Sequence, residues 1–385
     1  SYIALLSVIL PYFVSKWWSS TQLYTKKGIH VKTASYFVDR LINYKPSEVV
    51  TVDLIINWLS HAEEFKAFYP HLKHTDFEKL LHNHLNREEA PNVADRNAQF
   101  RIVAKCHSLL HGLLDIACGF RNTDIANITL ETFKCIVQAV PHSPHRQIFQ
   151  LPNVNREKFL EGAIDEVCTI GKLFTYKDTE ISKILGIDDE IKLDETLTVA
   201  SNIPHLRLLK AEFLVPGESQ VSPASTPHLS LKILVRSPKH KIIPAEMFPP
   251  EMMEEPQDFD FQKDPFALML DEPLLPYSYA PFFPTKRRDA ICCLIALQKD
   301  GKLLQTPVTV QRLSLKNLRR NFDKRQIKEL NKENFTPEDW KIGTIKIPLG
   351  QPAPNEIGDV FFTVIIKSTD YFTSDLDFTV AMHVS

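Results

Sequence analysis

At His205 the spacing of apolar residues changes from a helical period to a strand period, and this divides what the chain can fold into. Before it, apolar side chains recur every three or four residues; after it they alternate. His228 to Arg236 places Leu229, Leu231, Ile233 and Val235 on one face. Val360, Phe362, Val364 and Ile366 make a second such face, and Leu376, Phe378, Val380, Met382 and Val384 a third. The pattern predicts seven strands, at 206–215, 228–236, 290–298, 303–313, 343–349, 358–368 and 375–384. Strands joined by turns, with no helix between them, favour an antiparallel β-sandwich. Two insertions interrupt it. Residues 237–289 carry ten prolines around the acidic, aromatic centre EEPQDFDFQKDP, and residues 314–340 carry a basic helix from Lys316 to Lys332. A connection that long within a compact domain is usually functional or disordered. Lys286-Arg287-Arg288 reads as the start of a strand that crosses the sandwich edge.

From Ser35 to about Pro141 the pattern is helical. Thr51 opens a segment in which Leu54, Trp58, Leu59 and Ala62 share a face, and Thr75 with Glu78 has the spacing of a capping box. The run from Phe100 to Phe120 is apolar around most of its circumference, as a central helix of a bundle is, with Gly119 and Asn122 as its stop. A second buried helix spans Leu130 to Val140. Shorter helices follow at Arg156–Cys168, Thr179–Leu185 and Glu190–Val199, with Asp178 and Asp188 as N-caps and Gly186 as a left-handed C-cap. They read as a helix–loop–helix appendage to the bundle.

The beginning of the chain belongs to neither pattern. Tyr2 to Val14 is uncharged, and Lys16, Trp17 and Trp18 follow at once. Thirteen residues are fewer than a full membrane span requires, and a buried soluble helix is the competing reading. Paired tryptophans beside a lysine suit a membrane–water boundary, so the run is expected to be the end of a transmembrane helix with Trp17 and Trp18 as its anchor. Lys26, Lys27, Lys32 and Arg40 lie downstream and orient the remainder toward the cytosol. The six cysteines form no C-x-x-C, which fits a reducing compartment and buried thiols.

Chemistry is hard to find. No phosphate-binding glycine motif and no G-x-S-x-G elbow occurs, and a net charge of −2 gives no general affinity for nucleic acid. His107 and His111, at i and i+4, imitate a zinc pair, but Ser108 stands where a general-base glutamate would be. His71, His74, His82 and His84 lie among polar residues and read as solvated surface. No catalytic residue, cofactor site or metal site is expected. The basic helix offers charge to phosphate or lipid headgroups, and the acidic loop around Phe259 offers aromatic anchors to a basic protein.

Several long stretches together resemble one family. They are TQLYTKKGIH (21–30), NYKPSEVV (43–50), FRIVAKCHSLLHGLLDIACGFRN (100–122), CIVQAVP (135–141), LPYSYAPFFPTKRR (275–288), IGTIKIPLGQPAP (342–354) and KSTDYF (367–372). The chain resembles the J-domain subunits of the endoplasmic-reticulum Sec translocation complex, of budding-yeast type, over the end of a transmembrane helix and the whole Brl-type cytosolic region. The resemblance implies an α+β multidomain chain: the membrane helix end at 1–18, a helical bundle at 19–150, a helix–loop–helix unit at 151–204, and a fibronectin-type-III-like β-sandwich at 205–385. It implies an endoplasmic-reticulum membrane location with residues after about 16 in the cytosol. It also implies binding to the Sec channel and to other Sec-complex subunits, which opens the channel for post-translational import. The family's J domain recruits a BiP-type chaperone through His-Pro-Asp. That tripeptide does not occur here, so the stretch is expected to lack the J domain, and with it the acidic tail. Glu218 in the Gly217-Glu218 turn, with Asp258, Phe259 and Asp260, is the expected surface for the channel's basic cytosolic loops. The rival reading is a Brl-type regulatory cassette of a spliceosomal RNA helicase, in which the basic helix would touch RNA.

Overall fold

A computed structural model describes residues 28–162, 166–167, 169–240, 272–317, 322–332 and 341–385. The chain is α+β and divides into two compact units. The first comprises 1–143 with 278–287 and 300–307; the second comprises 144–277, 288–299 and 308–385.

The first unit begins with α1 (Val31–Ile42), α2 (Val52–Ser60), α3 (Glu63–Phe68) and α4 (His74–Leu85). Helix α1 buries Thr33, Ala34, Phe37 and Leu41, one stripe of the helix. Its N-terminus is fixed by Glu64, a buried carboxylate that accepts from the His30 N–H at 2.7 Å and from Thr33 Oγ at 3.0 Å. A negative group is favourable there because the first N–H groups of a helix have no partner of their own. Thr51, the residue that opens this segment, caps α2 and accepts from the Leu54 N–H. The expected Thr75–Glu78 box is corrected. Helix α4 starts at His74, the Lys73 N–H donates to Asp76 at 2.9 Å, and Glu78 instead receives Asn57 of α2 at 3.2 Å. His84 is also corrected: it is buried, with Nε2 2.7 Å from the Ile136 carbonyl, and desolvation lowers its pKa.

Helix α5 (Val93–Gly119) starts seven residues before the apolar run does, because Asn92 supplies the cap. Ile102, Cys106, Leu109 and Leu113 are fully buried along it. Gly112 admits Ile29 so closely that an added Cβ would lie 2.5 Å from its Cδ1. Helix α6 (Thr123–Gln138) likewise starts earlier than expected, and Asn122 is its N-cap more than the terminator of α5. From Leu130 to Gln138 every residue of α6 is buried, Glu131, Thr132 and Lys134 included. Two later segments of the chain explain this. Gln138 donates to the Tyr279 carbonyl, Arg287 lies 4.7 Å over the Phe133 ring, and Arg121 exchanges backbone and side-chain bonds with Leu303. At the far end of α6 the open carbonyls of Gln138 and Ala139 receive Arg87, as helix C-termini require.

In the second unit, α7 (Arg146–Phe149), α8 (Arg156–Glu161), α9 (Ile170–Leu173), α10 (Asp178–Leu185) and α11 (Glu190–Asn202) precede the strands. Gly186 ends α10 at φ +64°, as expected, and a Cβ there would sit 2.9 Å from Asn155 Cβ. Two caps are shifted by one residue. Lys177 precedes α10, whose first residue is Asp178, and Asp189, accepting from the Ile191 and Lys192 N–H groups, caps α11 in place of Asp188. Helix α8 stops at Glu161, short of the expected Cys168.

Among the described residues eight strands make two antiparallel four-stranded sheets. They are β1 (His205–Leu214), β2 (His228–Arg236), β3 (Ile291–Leu297), β4 (Val308–Val310), β5 (Lys316–Asn317), β6 (Lys341–Pro348), β7 (Gly358–Ser368) and β8 (Leu376–Val384), in the orders β1-β2-β6-β5 and β4-β3-β7-β8. Leu229, Leu231, Ile233, Ile345, Ile347, Val364 and Ile366 are wholly buried between them, and Phe213 of β1 meets Phe362 of β7 at 5.0 Å. Fully burying each such aliphatic side chain contributes about 1.5–3 kcal/mol.

Three expectations fail in this region. Residues 303–307 are no strand and belong to the first unit, leaving only Val308–Val310 of the expected 303–313. Arg287 and Arg288 do not open a strand: Arg287 covers Phe133, while Arg288 lies over Tyr277 and donates to the Leu275 carbonyl. The basic helix, labelled α12, spans only Lys324–Lys332. Asp323 and Gln326 cap it reciprocally, each side chain accepting from the other's backbone N–H, and Lys316 belongs to β5.

Candidate functional site

Of the residues expected to meet a partner, Glu218 is described, whereas Asp258, Phe259, Asp260 and the anchor residues Trp17 and Trp18 lie outside the described residues. The strand register puts Glu218 at one end of the two sheets. Strand β1 ends at Leu214 opposite His228, β2 starts opposite Pro348 of β6, and β7 starts opposite Val384 of β8. The β1–β2 and β6–β7 connections and the end of β8 therefore meet there.

The first is a turn that its residues dictate. Pro216 presets φ, Gly217 takes φ +76°, and the Glu218 N–H closes onto the Val215 carbonyl at 3.0 Å. The loop then folds back. Val221 is buried and bridges Val384, Ala224 donates to the carbonyl of Ala353, and the Ala353 N–H returns to Ser225 at 2.7 Å. Glu218 itself stays exposed, with one contact from Ser222 Oγ at 3.4 Å. Its carboxylate is thus held on a braced turn and faces water.

The same end carries residues that the sequence reading did not single out. Glu356, Ile357, Asp359 and Phe361 surround the start of β7, all exposed, Ile357 to 77% and Phe361 to 47%. Asp359 pairs with His383 across the β7–β8 ladder, and Lys299 follows β3 at the same end. Exposed apolar side chains among carboxylates are the composition of a protein contact for a basic partner. Only the register brings these distant stretches together, so nothing local in the sequence announces the cluster. Alternation alone would have placed Phe361 outward, since it lies between the inward Val360 and Phe362.

The other candidates resolve differently. His107 and His111 lie 4.5 Å apart, both against Phe133. Among the described residues no three His, Cys, Asp or Glu side chains are placed to hold a metal ion. Cys106 and Cys293 are buried, and desolvation pushes both thiols upward, away from the reactive thiolate. A groove of about 560 Å³ in the first unit lies between Arg87, Arg96, Gln99 and Phe100 and the Pro281–Pro284 segment; the Arg87 guanidinium lies 4.3 Å over Phe282. It brings no nucleophile to a base. By length and composition α5 is, among the described residues, the one helix able to cross a membrane, yet its buried stripe makes it part of a core.

No family model matches the chain. Two curated relatives do. The protein translocation protein SEC63 of Saccharomyces cerevisiae is 62% identical over 387 residues, an alignment covering 100% of this chain and 58% of that protein. The translocation protein sec63 of Schizosaccharomyces pombe is 22% identical over 79% of this chain and 49% of that protein. The chain therefore spans about half the length of the relatives it matches. Among solved structures, a Pseudomonas fluorescens alkylpurine DNA glycosylase AlkC bound to DNA aligns with 88% of this chain and 99% of its own, at 9% identity and a TM-score of 0.18, and bears on neither fold nor function. The chain is a homologue of the SEC63 translocation proteins, along its whole length of the Saccharomyces cerevisiae one and along 79% of it of the Schizosaccharomyces pombe one, in agreement with the resemblance of its sequence.

Proposed function

We propose that this chain is the channel-engaging part of a subunit of the endoplasmic-reticulum protein-translocation complex. It binds the cytosolic face of the Sec channel alongside the other Sec-complex subunits and promotes channel opening for post-translational import. The observation that carries this reading is identity of 62% along the full chain to a protein named for translocation. The role is non-enzymatic and uses no cofactor. A BiP-type chaperone would be engaged only through a J domain. The helicase-cassette alternative has no comparable support, since both relatives are translocation proteins.

In this reading the first unit is a helical bundle and the paired sheets are a fibronectin-type-III-like sandwich. The segment 1–18, with Trp17 and Trp18, anchors the chain in the endoplasmic-reticulum membrane, and residues after about 16 lie in the cytosol. Glu218, together with Asp258, Phe259 and Asp260, meets the channel's basic loops. The exposed acids and apolar side chains at 356–361 extend that surface. The test is co-purification of the channel with a Glu218→Lys, Phe259→Ser double variant. Reduced recovery at an unchanged chain level is expected. Undiminished recovery overturns the assignment of this surface.

A further inference from the structure

The end of the β1-β2-β6-β5 sheet opposite Glu218 carries exposed lysines. There β5 and β6 pair as Lys316 with Ile342 and Asn317 with Lys341, and this ladder closes the connection 318–340 that carries α12. Lys316 and Lys341 are both exposed. On α12, Asp323 is used as the cap and Glu329 lies 3.8 Å from Arg325, which leaves Lys324 and Lys328 on one face at i and i+4. All four lysines face solvent and make no ion pair with any described residue. Arg236, at the end of β2, is not part of this set: it donates to the carbonyls of Ser237 and His240.

We propose that Lys316, Lys324, Lys328 and Lys341 form a peripheral contact for a bilayer rich in anionic lipid headgroups. The ammonium groups are compact, hydrated and mobile, and suit a diffuse layer of headgroup phosphates and carboxylates better than one shaped ligand. Tyr2–Val14 with Lys16, Trp17 and Trp18 is the composition of a segment at a bilayer boundary, so an anionic surface lies within the chain's reach. The proposal is independent of any contact with the channel.

The test is flotation of the whole chain with phosphatidylcholine vesicles, with and without phosphatidylserine. The apolar start of the chain contributes equally to both, so the readout is the increment that phosphatidylserine adds. Four Lys→Gln changes are expected to reduce that increment by up to about 10³-fold, and reversing all four charges (Lys316→Glu, Lys324→Glu, Lys328→Glu, Lys341→Glu) by a larger factor. Added salt should reduce the wild-type increment in parallel. Equal recovery on neutral and anionic vesicles overturns the proposal, as does an increment that charge reversal leaves undiminished. Lysine-dependent binding of an RNA oligonucleotide with no phosphatidylserine increment would instead assign the patch to nucleic acid.

Discussion

Lys134 provides a test of how the first unit is held together. Its side chain is wholly buried on α6, with Nζ 3.9 Å from Glu131 Oε1, and His142 Nε2 lies 3.6 Å from the other oxygen of the same carboxylate. At that separation two unit charges attract by about 4 kcal/mol at an effective dielectric of about 20. Lys134→Met keeps the length, the packing volume and the helix propensity, and removes only the charge. It takes the lysine charge away from a carboxylate whose side chain is 9% exposed and leaves His142 beside it. Breaking a buried pair in this way costs up to about 3–5 kcal/mol, because the remaining carboxylate has lost the Lys134 charge and cannot regain water. Removing both charges, Lys134→Met with Glu131→Gln, should recover most of that loss and end within about 1–2 kcal/mol of the parent. Since the chain has two units, a single global midpoint would mix their responses. Deuterium uptake in peptides from Thr123–Gln138 isolates the relevant one. The single variant should exchange roughly 10²- to 10³-fold faster, and the double variant close to the parent rate. Unchanged exchange for Lys134→Met would refute the argument that the pair is closed off from solvent.

Two further predictions concern the second unit. His205 is buried and its pKa is depressed to about 4, by desolvation first and by the Arg236 charge second. The unfolded chain takes up this proton near 6.5 and the folded chain only near 4, so stability is level above pH 6.5 and falls as pH drops between the two values, by up to about 3 kcal/mol; His205→Gln should flatten that part of a urea-midpoint profile, and an unaltered profile would assign the acid sensitivity elsewhere. Gln150 mimics a strand, its amide donating to the Phe372 carbonyl and accepting from the Phe372 N–H at 2.9 Å. Gln150→Leu leaves both backbone groups buried without these bonds and should lower stability by about 2–4 kcal/mol, read as a shift in urea midpoint at constant slope.

Local periodicity carried the strands well. The residues 228–236 and 358–368 are bounded in the structure as alternation predicts, because inward and outward faces there face different media. Gly186 was equally legible, since few other residues tolerate its backbone conformation. Helix starts were less so. Asn92 and Asn122 cap helices that begin well before their apolar runs, and the Asp323–Gln326 box, readable in principle, was hidden inside a longer basic stretch. The larger misreadings share one cause. Residues 286–288 and 303–307 have the composition of strand edges, but Arg287 meets Phe133 and Leu303 meets Arg121, both far away in sequence. His84 looked solvated for the same reason: the Ile136 carbonyl that it meets is 52 residues away. Of the candidate surface, the turn at Gly217-Glu218 was visible from its residues, whereas the Glu356–Phe361 part needed the register.

The makeup of the first unit bears on the order in which the chain can mature. Helix α6 is enclosed only once 278–287 and 300–307 have been added, and both follow α6 by more than a hundred residues. A ribosome delivers the chain from its N-terminus. Newly made α1 to α6 must therefore wait, with Phe133 and Gln138 still lacking Arg287 and Tyr279, through synthesis of α7 to α11, β1, β2 and β3. A product cut after Ser143 would be an unfinished core and not a separable domain, prone to the chaperone traffic that exposed apolar helices attract. The helical unit comes first in sequence, but in time it closes only after the first strands of the second unit exist.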